Sequence, residues 1–235
     1  MAKIRKIMTA GPLTIEALYP APNPRDSQET RRRKREISTL AQQDLNLRNA
    51  RQKLELQLAA NIVPGDWFLT LTYSPERLPP NREAAKKDIA AFLRKLRNRR
   101  RTPMCYFYRM EHKHKACNRY HFHVIVTAGD EDEWDLDRMW GNGQIDRKRI
   151  CIDKDHPYER LARYMTKEHP DKLGHHLWEH SRGIKKYEVD RIRLPDTADI
   201  VPPAGAQVLY DSSLIQNVYG SWRRLKFMTP DARAD

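Results

Sequence analysis

The sequence predicts an α+β fold, an antiparallel sheet with helices packed on one face and a helical extension at the N-terminus. Three observations carry this. Residues 67–73 (Trp-Phe-Leu-Thr-Leu-Thr-Tyr) and 120–126 (Tyr-His-Phe-His-Val-Ile-Val) are rich in aromatic and β-branched side chains and alternate with the period of two that marks strands. Residues 82–100 carry Ile89, Phe92, Leu93 and Leu96 on one helical face. The order strand, helix, strand, strand, helix, strand, helix is that of a ferredoxin-like split unit.

Taken in order, residues 1–27 contain Pro12, Pro20, Pro22 and Pro24 and read as a loose arm. Ser27 to Asn61 has neither Gly nor Pro, and its leucines recur at helical spacings, so one long helix or two are expected, with Ser27 as N-cap. The run Arg31-Arg32-Arg33-Lys34-Arg35 at its start reads equally as a solvated face or as a phosphate-tracking arm. Pro64-Gly65-Asp66 is a turn into the first strand, which Pro75, Pro79 and Pro80 close. The helix over 82–100 follows, ending in Arg97, Arg99 and Arg100 with Arg101 beyond, and Pro103 stops it. Met104–Glu111 and Tyr120–Thr127 are the next two strands, joined by a polar hairpin. A short helix over 136–140, a strand within 144–153 and a helix over 158–168 come next. Residues 195–206 read as a linker and 211–227 as a terminal helix. The domain organisation expected is an arm and basic helix at 1–61, a catalytic domain at 62–185 and a C-terminal extension at 186–235.

Composition narrows the class of partner. Lys and Arg number 44 against 31 Asp and Glu, a formal charge of +13 that points to nucleic acid. Three cysteines, Cys105, Cys117 and Cys151, lack CxxC spacing, which argues against a disulfide framework or a zinc ribbon. No apolar run is long enough to span a membrane and no signal-peptide pattern opens the chain, so a cytoplasmic location is expected.

The chemistry-bearing stretch is Tyr120–Val126. On a strand, His121 and His123 point to one face and Phe122, Val124 and Val126 to the other. Two imidazoles side by side on rigid backbone are most of a metal site. Glu111 precedes the hairpin leading to His121, so its carboxylate is either a third ligand or an ion-pair partner for Arg109 or Lys113, depending on register. His112 and His114 share the His-x-His spacing but sit among hairpin lysines and rank below. Tyr164 and Lys167 are i, i+3 on the last helix and share a face. A phenol, with an ordinary pKa of about 10, is a weak nucleophile at neutral pH and needs a metal or an ammonium beside its target. In a basic protein, that target is a phosphodiester, and attack leaves a phosphotyrosine. Arg160 and Arg163 flank the tyrosine and, with Arg97, Arg100 and Arg101, are candidates for holding DNA phosphates.

The strand Leu69-Thr70-Leu71-Thr72-Tyr73, then His121-Phe122-His123, then Tyr164-Met165-Thr166-Lys167 resemble the three ordered motifs of HUH endonucleases. They are most similar to rolling-circle replication initiators of small circular single-stranded DNA phages and related elements. Trp140-Gly141 and Ser181-Arg182-Gly183 fit that branch, and the resemblance covers about 60–185. It implies a central sheet of about five strands, and Mg²⁺ or Mn²⁺ held by His121, His123 and Glu111. It further implies Tyr164 as nucleophile keeping the 5′ end, and Lys167 orienting the phosphate. The partners implied are a single-stranded DNA origin and a host helicase, polymerase and single-strand binding protein. Residues 160 and 168 are Arg and Glu, so the helix offers one tyrosine; Tyr158 lies on a different face, and no GxxxxGK[ST] helicase motif is present. A single-tyrosine transposase or mobilisation relaxase is the alternative within the class, and a non-catalytic nucleic-acid-binding module the alternative outside it.

Overall fold

The computed structural model describes residues 2–21, 39–113, 119–129, 133–152, 154–167, 177–217 and 220–229. In chain order the described elements are β1 (Lys3–Ala10), β2 (Leu13–Pro20), α1 (Thr39–Asn61), β3 (Trp67–Tyr73), α2 (Arg82–Arg99), β4 (Tyr106–Lys113), β5 (Arg119–Val126), α3 (Glu133–Trp140), β6 (Gly143–Arg149), α4 (Glu159–Met165), β7 (Glu179–His180), β8 (Glu188–Leu194), β9 (Gln207–Asp211), β10 (Ile215–Asn217) and β11 (Gly220–Met228). The fold is α+β, with two antiparallel sheets in two compact units. No described helix is long and apolar enough to cross a membrane.

One unit comprises Asn61–Asp153 and Arg163–Ile184. Its five-stranded sheet has the order β6-β3-β5-β4-β7. β3 and β5 pair Leu71 with Phe122, Leu69 with Val124 and Trp67 with Val126, so one face of the sheet is continuous hydrocarbon. Against it packs α2, through Ala85, Ile89, Phe92, Leu93 and Leu96, joined by Leu136 and Trp140 of α3. Asn81 caps α2, its side-chain oxygen accepting from the Ala84 amide at 2.9 Å. Asp66 is buried and fixes the entry to β3, accepting from the Val63 and Ala128 amides at 2.8 Å each. Gly143 starts β6 so close to β3 that a Cβ there would run into the Thr72 carbonyl. The sheet of about five strands, and helices on one face of it, match the expectation from sequence.

The other unit comprises Met1–Ala60, Lys154–Ala162 and Lys185–Asp235. Its sheet runs β10-β11-β2-β1-β8, with β9 also on β11. Two sequence expectations are corrected here. Residues 3–20 are a β-hairpin, not a loose arm. Pro12 sits in the turn beside Gly11 (φ +55°) and Pro20 at the end of β2, two places where a missing N–H disrupts no ladder. Residues 211–227 form strands rather than a terminal helix. Ser213, with φ 57°, and Gly220 break any helical run, and Leu225 and Phe227 alternate with exposed Arg224 and half-exposed Arg223. The long helix is present as α1 over Thr39–Asn61; Ser27 and the Arg31–Arg35 run lie outside the described residues. Inside this unit, Lys226 is buried between Glu55 of α1 and Glu159 of α4, at 2.8 Å from each.

Candidate active site

The face of the five-stranded sheet opposite α2 carries polar groups. Register places Thr70 and Arg109 on either side of His123, and Thr72 and Glu111 on either side of His121. Three strands therefore deliver six functional side chains to adjacent positions, about 4.8 Å apart across the sheet. Thr70 Oγ1 lies 3.3 Å from His123 Nδ1, and Thr72 Oγ1 lies 3.3 Å from His121 Nδ1. A hydroxyl on Nδ1 fixes the ring plane and leaves Nε2 as the working nitrogen. His112, by contrast, stacks on Tyr120 at 4.3 Å on the hydrocarbon side of the sheet, and His114 lies outside the described residues.

Glu111 is the electrostatic centre. It is 3% exposed and has three cationic neighbours: His123 Nε2 at 3.4 Å from Oε2, and Lys167 Nζ at 3.5 Å and Arg109 Nε at 3.8 Å from Oε1. Burial pushes its pKa up, but the hydrogen bond and charge of His123, then the charges of Arg109 and Lys167, outweigh burial and hold it at about 2. The carboxylate is thus ionised at neutral pH. Its Oε1 is buried and accepts no hydrogen bond.

Tyr164 comes from the last turn of α4. It is 39% exposed, and its ring stands edge-on to His123 at 4.9 Å and to Phe68 at 5.3 Å. Lys167 Nζ lies 4.7 Å from the Tyr164 ring centroid. Arg109, 7% exposed, donates from Nη1 to the Met165 carbonyl at 3.2 Å and so fastens the end of the tyrosine helix to β4. A guanidinium at a helix C-terminus also suits the helix dipole.

Of the residues singled out from sequence, the fold brings His121, His123, Glu111, Tyr164 and Lys167 to one sheet face. Arg163 is exposed beside Tyr164. Arg160 belongs to the other unit. Arg97 and Arg101 are exposed at the end of α2, behind the opposite face of the sheet, and Arg100 is buried with Nη1 3.4 Å from Thr127 Oγ1. Arg109, Thr70 and Thr72 are components that sequence reasoning did not assign to the site. The signal was there: all three share the histidines' strand parity once β3, β4 and β5 are aligned.

Among the described residues, no three His, Cys, Asp or Glu side chains are grouped closely enough to hold a metal ion together. The donor chemistry nonetheless fits a hard divalent cation. An ionised carboxylate with a buried oxygen that accepts no hydrogen bond adjoins one imidazole, with a second imidazole beside it on the same face.

Residues 66–169 match a family model of replication-associated proteins of the ORF2 type. The matched segment begins at Asp66, ahead of β3, and ends just past Lys167, so it contains every one of these site residues. It supports a role in replication. No curated protein and no solved structure matches the chain.

Proposed function

We propose that this face is the active site of a metal-dependent single-stranded DNA endonuclease that initiates rolling-circle replication. The observation that carries the reading is the placement of Tyr164 against His123 with Lys167 beside both the tyrosine ring and Glu111. A phenol, an ammonium and an imidazole–carboxylate pair at one point are suited to phosphoryl transfer to tyrosine and to little else.

The residues divide the work. His121, His123 and Glu111 would hold Mg²⁺ or Mn²⁺. Such a cation, when bound, supplies Lewis-acid polarisation of a phosphoryl oxygen. Thr70 and Thr72 keep the two imidazoles oriented. Lys167 places a positive charge where the pentavalent phosphorus gathers negative charge. Arg109 is a positioning residue, fixing the Tyr164 helix through the Met165 carbonyl. The Tyr164 oxygen loses its proton and attacks phosphorus. The bond from phosphorus to the 3′ oxygen breaks, that oxygen takes up a proton, and the 5′ phosphate stays on Tyr164. The free 3′ hydroxyl is a primer for a polymerase. Reversal by a 3′ hydroxyl rejoins the strand. Unwinding would fall to a host helicase and protection of the displaced strand to a single-strand binding protein.

The test is a denaturing gel of the full chain with Mn²⁺ and end-labelled random single-stranded oligonucleotides. A covalent complex is expected with the wild type, none with Tyr164→Phe, and none with EDTA. An adduct that survives Tyr164→Phe removes the tyrosine from the mechanism. Salt-sensitive binding with no adduct under Mg²⁺ or Mn²⁺ makes the protein a binding module instead.

A further inference from the structure

The second sheet has a face that the proposed chemistry does not use. Strand β8 sorts its charges by parity. Glu188 and Asp190 fall on one face, and Arg191 and Arg193 on the other. Register then builds two rows across the sheet on the arginine face. One row runs Arg193, Ile4, Tyr19, with Trp222 next to Tyr19 and Ile215 paired to Trp222. The other runs Arg191, Lys6, Ala17, Arg224. The two rows are about 7 Å apart, two residues along each strand.

The first row holds an aromatic platform. Tyr19 and Trp222 stack with centroids 6.1 Å apart and planes at 21°, and Trp222 is 40% exposed. It differs from Trp67 and Trp140, which are 3% and 2% exposed in the core of the other unit. The second row is cationic, and its members crowd each other. The Lys6 ammonium is pushed below its ordinary pKa by burial and by the charges of Arg191 and Arg224. Among the described residues no carboxylate forms an ion pair with Lys6, Arg191, Arg193 or Arg224, and Arg224 Nη2 donates only to the neutral Gln52 amide, at 2.9 Å. Glu55, whose carboxyl feels the charge of Arg224, is already paired to Lys226. The cations on the opposite face are neutralised: Arg5 by Glu16, and Arg223 by Asp199 and Asp211. Like charges left together beside an exposed indole are unfavourable unless an anion with flat apolar groups joins them. A second copy of the chain would bring the same cations, so self-association on this face is opposed by charge.

We infer that this face is a second binding surface for single-stranded DNA, with bases stacking on Trp222 and Tyr19 and phosphates held by Lys6, Arg191, Arg193 and Arg224. The inference rests on the nucleic-acid role proposed above but not on its chemistry. Base stacking of this kind tolerates any sequence, and the cations follow the backbone. The surface would hold strand independently of nicking.

The experiment measures fluorescence anisotropy of a labelled dT oligonucleotide with the full chain at several salt concentrations, and in parallel the covalent adduct with Mn²⁺. Trp222→Leu is expected to weaken binding roughly ten-fold or more. The double variant Arg191→Gln, Arg193→Gln, at two exposed positions that leave the fold intact, is expected to lower the salt slope by about 1.4. Both variants should still form the Tyr164 adduct at saturating oligonucleotide. Unchanged affinity and salt slope in both variants overturn the inference, as does an unchanged affinity accompanied by a changed sedimentation mass, which would make the face an interface between copies. Loss of the adduct only in Tyr164→Phe, with normal binding, leaves this surface standing. Absence of any adduct in the wild type defeats the nickase reading alone.

Discussion

Replacing Glu111 by Gln removes one negative charge from among His123, Arg109 and Lys167 while keeping the side-chain shape. Two routes give the size of the effect. A carboxyl moved from 4.5 to about 2 by folding contributes roughly 3 kcal/mol at neutral pH. Removing one partner of a buried ion pair, here leaving Arg109 at 7% exposure without its anion, costs about 3–5 kcal/mol. The two agree, so Glu111→Gln should destabilise by ~3 kcal/mol at pH 7. The sign of the pH dependence follows from the depressed pKa. The contribution is complete above the unfolded value of 4.5 and disappears as pH falls toward about 2. At pH 3 about 1.4 kcal/mol of it should remain. Urea unfolding of wild type and variant, followed by far-ultraviolet circular dichroism at pH 7, 5 and 3, measures the difference directly. The expected pattern is a full difference at pH 7 and 5 and about half at pH 3. A difference that is as large at pH 3 as at pH 7, or absent at pH 7, would refute the electrostatic account of Glu111.

Other outcomes follow from the same geometry. Thr70→Val and Thr72→Val keep the shape but release His123 and His121 at Nδ1. Each should weaken Mn²⁺ binding by about 10–100-fold in an electron paramagnetic resonance titration, with little change in melting temperature; unchanged Mn²⁺ affinity would show that the threonines do not support the ligands. Phe122→Ala opens a cavity at a fully buried position between β3 and α2 and should cost about 3–5 kcal/mol of stability by the same urea assay. A loss below about 1 kcal/mol would mean that the hydrocarbon face is not packed as described.

Much of the site was legible because a strand's parity needs no tertiary knowledge. Tyr120–Val126 announces two faces, and the i, i+3 relation of Tyr164 to Lys167 announces a third direction. Glu111 was ambiguous from sequence, since its role turned on register; the structure pairs it directly with His121 and sets its carboxylate against His123. Arg109 was read only as an ion-pair partner of Glu111. Its bond to the Met165 carbonyl joins residues 56 apart in sequence, and no local pattern encodes such a contact. The second sheet was missed for a different reason. Prolines at the ends of a hairpin look, one residue at a time, like prolines in coil, and strands that alternate cations with hydrocarbon score as polar helix or loop. Pairing of β1 with β8, across nearly the whole chain, makes those segments strands.

The division of β5 into a greasy side and a reactive side has a consequence for how such a protein can vary. Exchange of one residue for another touches one side only. Loss or gain of a single residue inside Tyr120–Val126 does something else: it turns both imidazoles inward and exposes Phe122 and Val124 to solvent, so core and chemistry fail in one step. Length change in this lineage is therefore confined to the connections, where the hairpin from β4 and the segment leading to α4 can grow or shrink freely. The strand itself is a fixed ruler.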